Sequence, residues 1–155
     1  MLPVREEELS VFADFHQFYL WDSGVDPKAP EDWSNEDVSN MVKQTKNVLV
    51  VCPIRNVSVP VRISLFETRP LFNLDRYDHV VLGSLELPSG QLQLHESTGQ
   101  SVLEWKLDPG TYGVLVLFSG LRSTSANNLE GQDQYHVVLW PGLIKSLEVL
   151  KNWNA

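Results

Sequence analysis

The chain has 155 residues, 43% of them hydrophobic, with 20 acids against 12 lysines and arginines and a formal net charge of −8. That length and apolar content suit one domain around one sizeable core, and the acid excess argues against a general duplex-binding protein, because neutralising phosphate needs clustered cations. The lone Cys52 rules out an internal disulfide, no run of about 18 apolar residues offers a membrane-spanning helix, and the start of the chain carries Glu6-Glu7-Glu8 in place of an apolar leader. The expectation is a soluble cytoplasmic protein with no membrane or direct nucleic-acid partner, steered by its charge towards basic proteins.

The densest aromatic run, Phe12 to Trp21, reads as a central strand buried from two sides. In an extended chain Phe12, Phe18 and Leu20 share a face with Asp14 and His16, while Phe15, Tyr19 and Trp21 share the other with Gln17. Asp14, His16 and Gln17 then form a structural polar core whose groups must find partners. Asp22 to Asp32, with Gly24, Pro27 and Pro30, is a loop. It leads into one short helix near residues 35–45, capped by Ser34, with Glu36 and Asp37 in its first turn and Lys43 and Lys46 at its far end.

From Asn47 onwards the apolar residues recur with period two. Val48 to Cys52 is a short apolar strand, and Val59, Val61, Ile63 and Leu65 mark a half-exposed one. A strand from about Tyr77 to Leu87 turns at Pro88-Ser89-Gly90 into another carrying Leu92 and Leu94. Leu103, Trp105 and Leu107 define the next, which Asp108-Pro109-Gly110 turns into the doubly apolar strand Tyr112 to Phe118. Ser119 to Asp133 is a long polar loop, Tyr135 to Trp140 a strand, and the tail from Leu143 to Trp153 carries both periods and leans to a strand. The fold class is mainly β: one domain, residues 1–155, forming an antiparallel β-sandwich with Greek-key or jelly-roll wiring.

No assembled chemistry stands out. The four histidines, His16, His79, His95 and His136, fall on different strands with no metal-ligand spacing, so neither a metal nor a cofactor is expected. His16 beside Asp14 is a possible proton-transfer couple, with a hydrogen-bonded structural histidine as the plainer reading. Two loops gather the remaining polar signal: Asp22, Asp26, Glu31, Asp32 and Trp33 border the first, Glu130 and Asp133 the second. These residues suit either a partner-binding surface for a basic protein, with Trp33 as anchor, or a solvated acidic face with Trp33 packed beneath the helix. The rival from another class is a small-ligand or carbohydrate-binding module stacking its ligand on Trp21, Trp33, Trp105 or Trp140.

Phe15-His16-Gln17-Phe18-Tyr19, a Pro-containing loop, Asp32-Trp33-Ser34 opening a helix, and the later Leu107-Asp108-Pro109-Gly110-Thr111-Tyr112 turn ahead of the Tyr135 strand together resemble the competence protein J family, the inhibitors of DNA-entry nuclease. The resemblance spans roughly residues 9–140 in order of elements, and its distinctive positions are His-Gln-Phe and Asp-Trp-Ser. It implies a small, bacterial, cytoplasmic, non-enzymatic protein that binds a nuclease and blocks it, in the manner of an immunity protein. The chain departs from the family pattern in its extension from Leu143 to Ala155 and in the longer Ser119 to Asp133 loop.

Overall fold

The apolar sides of the alternating segments face one another across two sheets. The structure, a computed structural model, describes residues 1–153. Its strands are β1 (Arg5–Phe12), β2 (Phe18–Asp22), β3 (Val42–Gln44), β4 (Val48–Val51), β5 (Ser58–Leu65), β6 (His79–Leu87), β7 (Gln91–Glu96), β8 (Ser101–Lys106), β9 (Gly110–Ser119), β10 (Gln134–Pro141) and β11 (Glu148–Lys151), with α1 at Asn35–Asn40. The larger sheet runs β1-β5-β10-β9-β6-β11 and the smaller β3-β4-β2-β7-β8. This is the β-sandwich that the turn spacing predicts, with one departure: β5 and β10 pair in parallel.

Between the sheets Phe18, Leu20, Leu49 and Leu94 from one side meet Ile63, Val81, Val116 and Val137 from the other, all essentially without exposure. Full burial of one such side chain contributes about 1.5–3 kcal/mol. Several strands are also apolar on their outer face, so each sheet needs a second cover. Residues 66–78 lay Phe66, Phe72, Leu74 and Tyr77 over Val80, Leu117, Val138 and Trp140 of the larger sheet. The loop before α1 lays Ala29 and Trp33 over Tyr19, Val48 and Val50 of the smaller one.

Three expectations are corrected. Phe12 to Trp21 is not one strand: β1 ends at Phe12, a 3-10 turn occupies Asp14–His16, and β2 starts at Phe18. The break arises at Phe15 and His16, which hold left-handed backbone with φ of 58° and 56°, incompatible with an extended chain. The acidic start of the chain is itself a strand. As an edge strand it buries little beyond Leu9 and Val11, while Glu8 pairs with Arg62 and Glu6 accepts from Ser64 across the ladder. The helix is shorter than residues 35–45. Ser34 and Asp37 close a capping box at its start, and Met41, at φ 59°, ends it so that Val42 can begin β3. The tail does form a strand, β11, paired with β6 around a bulge after Val149.

Two histidines, His79 buried and His136 half-buried, lock separate parts of this frame in their neutral form. His79 donates from Nε2 to the Asn40 carbonyl at 2.6 Å and accepts at Nδ1 from the Trp153 N–H at 2.9 Å. A proton on Nδ1 would face that N–H, and burial already holds His79 below its usual value. Ser64 donates its one hydroxyl hydrogen to Glu6 at 2.6 Å, so its 2.8 Å contact with His136 must be a donation from His136 Nε2. Burial, aided by nearby Arg62, pushes His136 down to about 4. Unfolded histidines take up a proton near pH ~6.5, before the folded ones do. Stability is therefore complete above that pH and falls as pH drops towards about 4. Urea midpoints measured from pH 7.5 to 4.5 are expected to decline over this window, and less steeply in His136→Gln.

Candidate functional site

One end of the sandwich collects the β1–β2 turn, the β4–β5 connection, the β7–β8 turn, the β9–β10 loop and the starts of β3 and β6. The registers show it: Phe12 opposes Ser58, Phe18 opposes both Val51 and Glu96, Val42 opposes Val51, and Phe118 opposes both His79 and Tyr135. Four of the five non-glycine residues with positive φ lie at this end: Phe15, His16, Met41 and Asn128. Left-handed backbone costs a residue with a Cβ about 1–2 kcal/mol, and strain of this kind persists only where surrounding structure enforces it.

The enforcement around Ala13 to Gln17 is dense. Thr98 donates to the Asp14 carboxylate at 2.7 Å and Ser97 to the Asp14 carbonyl at 2.6 Å. The Phe15 N–H donates to Asp14 Oδ1 at 3.1 Å, the His16 N–H to the Ala13 carbonyl at 3.0 Å, and the Ala13 N–H to the Val57 carbonyl at 3.0 Å. His16 Nδ1 lies 3.1 Å from the Pro53 carbonyl, which can only accept, so Nδ1 carries a hydrogen. The outcome is a turn fixed from two neighbouring segments that projects Phe15 outwards, 66% exposed. Asp14, His16 and Gln17 are therefore not a buried polar core: Asp14 and Gln17 are half-buried and His16 is exposed. Nor do Asp14 and His16 form a couple, since each bonds elsewhere.

Beside this turn the β9–β10 loop is tied down from within. Gly120, at φ 68°, starts it in a place where a Cβ would meet the Gln132 backbone. Asp133, with no exposed surface, accepts from Arg55 Nε at 2.6 Å and from the Tyr135 hydroxyl at 2.6 Å. Tyr135 also accepts from the Ile54 N–H, and Arg55 reaches the Leu129 carbonyl. Burial and the Asp133 carboxylate together drive the Tyr135 hydroxyl pKa upwards. Asp133 is thus a structural carboxylate and leaves the partner-facing set, whereas Glu130 stays exposed and Leu129 beside it is 58% exposed.

The other predicted loop begins with a second correction. Asp22 is buried and accepts from the Gly24 N–H at 2.8 Å, the Ser89 N–H at 2.6 Å and the Ser89 hydroxyl. Burial alone would raise its pKa, but these bonds outweigh it and hold the carboxyl below its usual range. Asp26, Glu31 and Asp32 are exposed on the segment that then crosses the smaller sheet, and half-buried Trp33 packs on that sheet with the Lys43 ammonium 5.5 Å above its ring. Lys43 pairs with Asp37 at 2.6 Å, leaving Glu36 as the unpaired acid of the first helical turn. On the same outer face Trp21 stacks on Tyr19 at 5.1 Å and donates its indole N–H to Gln93, which in turn donates to Glu104.

These placements limit the chemistry available. Ser64 beside His136 is not an activated nucleophile, because it is buried and donates to Glu6. Burial, reinforced by Asp37, pushes the Cys52 thiol up to about 12, far from thiolate reactivity. Among the described residues no cluster of three or more His, Cys, Asp or Glu could hold a metal ion, and no helix is long and apolar enough to cross a membrane. Trp105 and Trp140 are buried, which removes them as stacking platforms; of the four candidates Trp21 and Trp33 remain partly accessible.

The chain is thus a two-sheet β-sandwich with one end built from loops that side-chain hydrogen bonds hold in place. No protein-family model and no curated protein matches the chain by sequence, yet solved structures share its fold. It superposes on ComJ of Bacillus subtilis, described as an inhibitor of the DNA degrading activity of NucA, with a TM-score of 0.66 at 16% identity, covering 90% of this chain and 97% of that one. It also superposes on a protein described as crocagin biosynthetic gene J, with a TM-score of 0.56 at 18% identity and coverage of 89% and 96%. The order of elements that suggested the competence protein J family is thus matched in three dimensions.

Removing one partner of the Arg55–Asp133 pair would strand a buried charge. Asp133→Ala is expected to cost about 3–5 kcal/mol in urea unfolding. Cys52, half-buried and with its thiol pushed up to about 12, is expected to react slowly with a thiol reagent in the folded protein, and faster as urea brings the loss of tryptophan signal.

Proposed function

We propose that the protein is a non-enzymatic inhibitor that binds a nuclease and blocks it. The observation that carries this reading is the fold shared over nine-tenths of the chain with ComJ, an inhibitor of a DNA-degrading protein. The charge agrees. Twenty acids against 12 cations suit a protein that meets the basic cleft of a nucleic-acid enzyme, where surface carboxylates take positions otherwise filled by phosphates. Asp26, Glu31 and Asp32, with Trp33 beneath them, and Glu36 and Glu130 at the loop-built end supply the accessible acids for that role. Asp22 and Asp133 hold the two loops in shape and act on the partner only through them.

Charge steering of this kind acts mainly on association. The test is inhibition of DNA degradation by the nucleases in an extract of the source organism, followed at several salt concentrations. The wild-type protein is expected to inhibit, less so as salt rises. The combined variant Asp26→Asn, Glu31→Gln, Asp32→Asn, Glu130→Gln is expected to slow the onset of inhibition about ten-fold with an unchanged melting temperature. Unaltered onset in this variant would remove the acidic surface from the reading, and absence of inhibition by the wild-type protein would remove the reading itself.

A further inference from the structure

Resting on that reading, we infer that the Phe15–His16 turn is the anchor of the nuclease interface: a rigid aromatic knob that enters an apolar recess in the wall of the partner's basic cleft. Three independent features of the turn converge on this role. Phe15 is 66% exposed, so most of the apolar surface of its ring stays in water. Its backbone is left-handed, as is that of His16, at positions where glycine or asparagine would relieve the strain. The turn is also immobilised by Thr98, Ser97, Asn56, Pro53 and Val57, so little conformational freedom remains to be lost on binding.

The surroundings specify the occupant. Leu129, at 58%, and Phe12, at 39%, are also exposed at this end, and Val38 projects from α1 at 64%. Glu36 and Glu130 are exposed among them, with the half-buried carboxylates of Asp14 and Glu96 bonded to Thr98 and to the Phe12 N–H, against exposed Arg76 and Arg122 towards the β6 and β9 side. Aromatic and aliphatic residues within an acidic margin match a recess bordered by lysine and arginine. His16 adds direction, because its Nδ1–H is committed to Pro53 and its free Nε2 can only accept from a partner donor while the ring is neutral.

Glycine at position 15 separates this role from a structural one. Phe15→Gly removes the ring and relieves the left-handed strain together, so it is expected to raise the melting temperature by about 2–4 °C while weakening inhibition of the extract nuclease at least 30-fold. Phe15→Ala should weaken inhibition equally at unchanged or lower stability, and Phe15→Trp should retain inhibition within about three-fold. Full inhibition by both Phe15→Gly and Phe15→Ala, alongside an inhibitory wild type, would overturn the anchor and leave the inhibitor reading standing. No inhibition by the wild type would end both. Sedimentation of the wild type as a dimer that Phe15→Gly dissociates would also overturn the anchor, since the knob would then be buried against a second copy of the chain.

Discussion

Strands that are apolar on both faces impose the constraint from which the rest of the molecule follows. A two-layer sandwich satisfies only the inner faces, so the outer ones must be covered by chain that is not strand. Residues 66–78 meet that demand over the larger sheet, and the loop leading into α1 meets it over the smaller one. This second cover leaves Trp21 and Trp33 half-buried in the part of the chain that also carries Asp26, Glu31 and Asp32. An accessible acid and aromatic surface is thus a by-product of how the smaller sheet excludes water.

The loop-built end is organised by polar groups. Asp14 and Glu96 each satisfy main-chain donors of the β1–β2 region, while Asp133, Arg55 and Tyr135 close the long β9–β10 loop onto the β4–β5 connection. Buried charges of this kind contribute little net stability compared with apolar packing, but they define one geometry sharply. That definition allows two consecutive non-glycine residues to remain left-handed at an exposed position.

Legibility in the sequence follows the range of the forces involved. From Val48 to Trp140 the strands are visible because alternation is local and the turns carry Gly, Pro or Ser. β1 is hidden because an edge strand with a solvated outer face buries almost nothing, so its Glu6, Glu7 and Glu8 read as a charged tail. The break at Phe15 and His16 is invisible for the opposite reason: their identity favours a strand, and only contacts from residues 53–57 and 97–98 override that preference. The acids divide in the same way. Asp26, Glu31 and Glu130 sit on the surface as their loops suggest, but Asp22 and Asp133 are buried by partners 67 and 78 residues away in the chain.

The parallel pairing of β5 with β10 makes β10 the keystone of the larger sheet. β1 and β5 touch the remaining strands of that sheet only through it, although residues 66–133 separate β5 from β10. On a chain emerging from its amino terminus, the β1–β5 pair and the β6–β9 pair are each complete before β10 exists, and neither has its neighbour. The centre of the sheet is therefore closed late, by insertion of β10 between two halves, a long-range event of the kind that slows folding, and β11 is added to β6 only after it. The same insertion closes Asp133 onto Arg55, so the interface end acquires its final shape only when the centre of the sheet does.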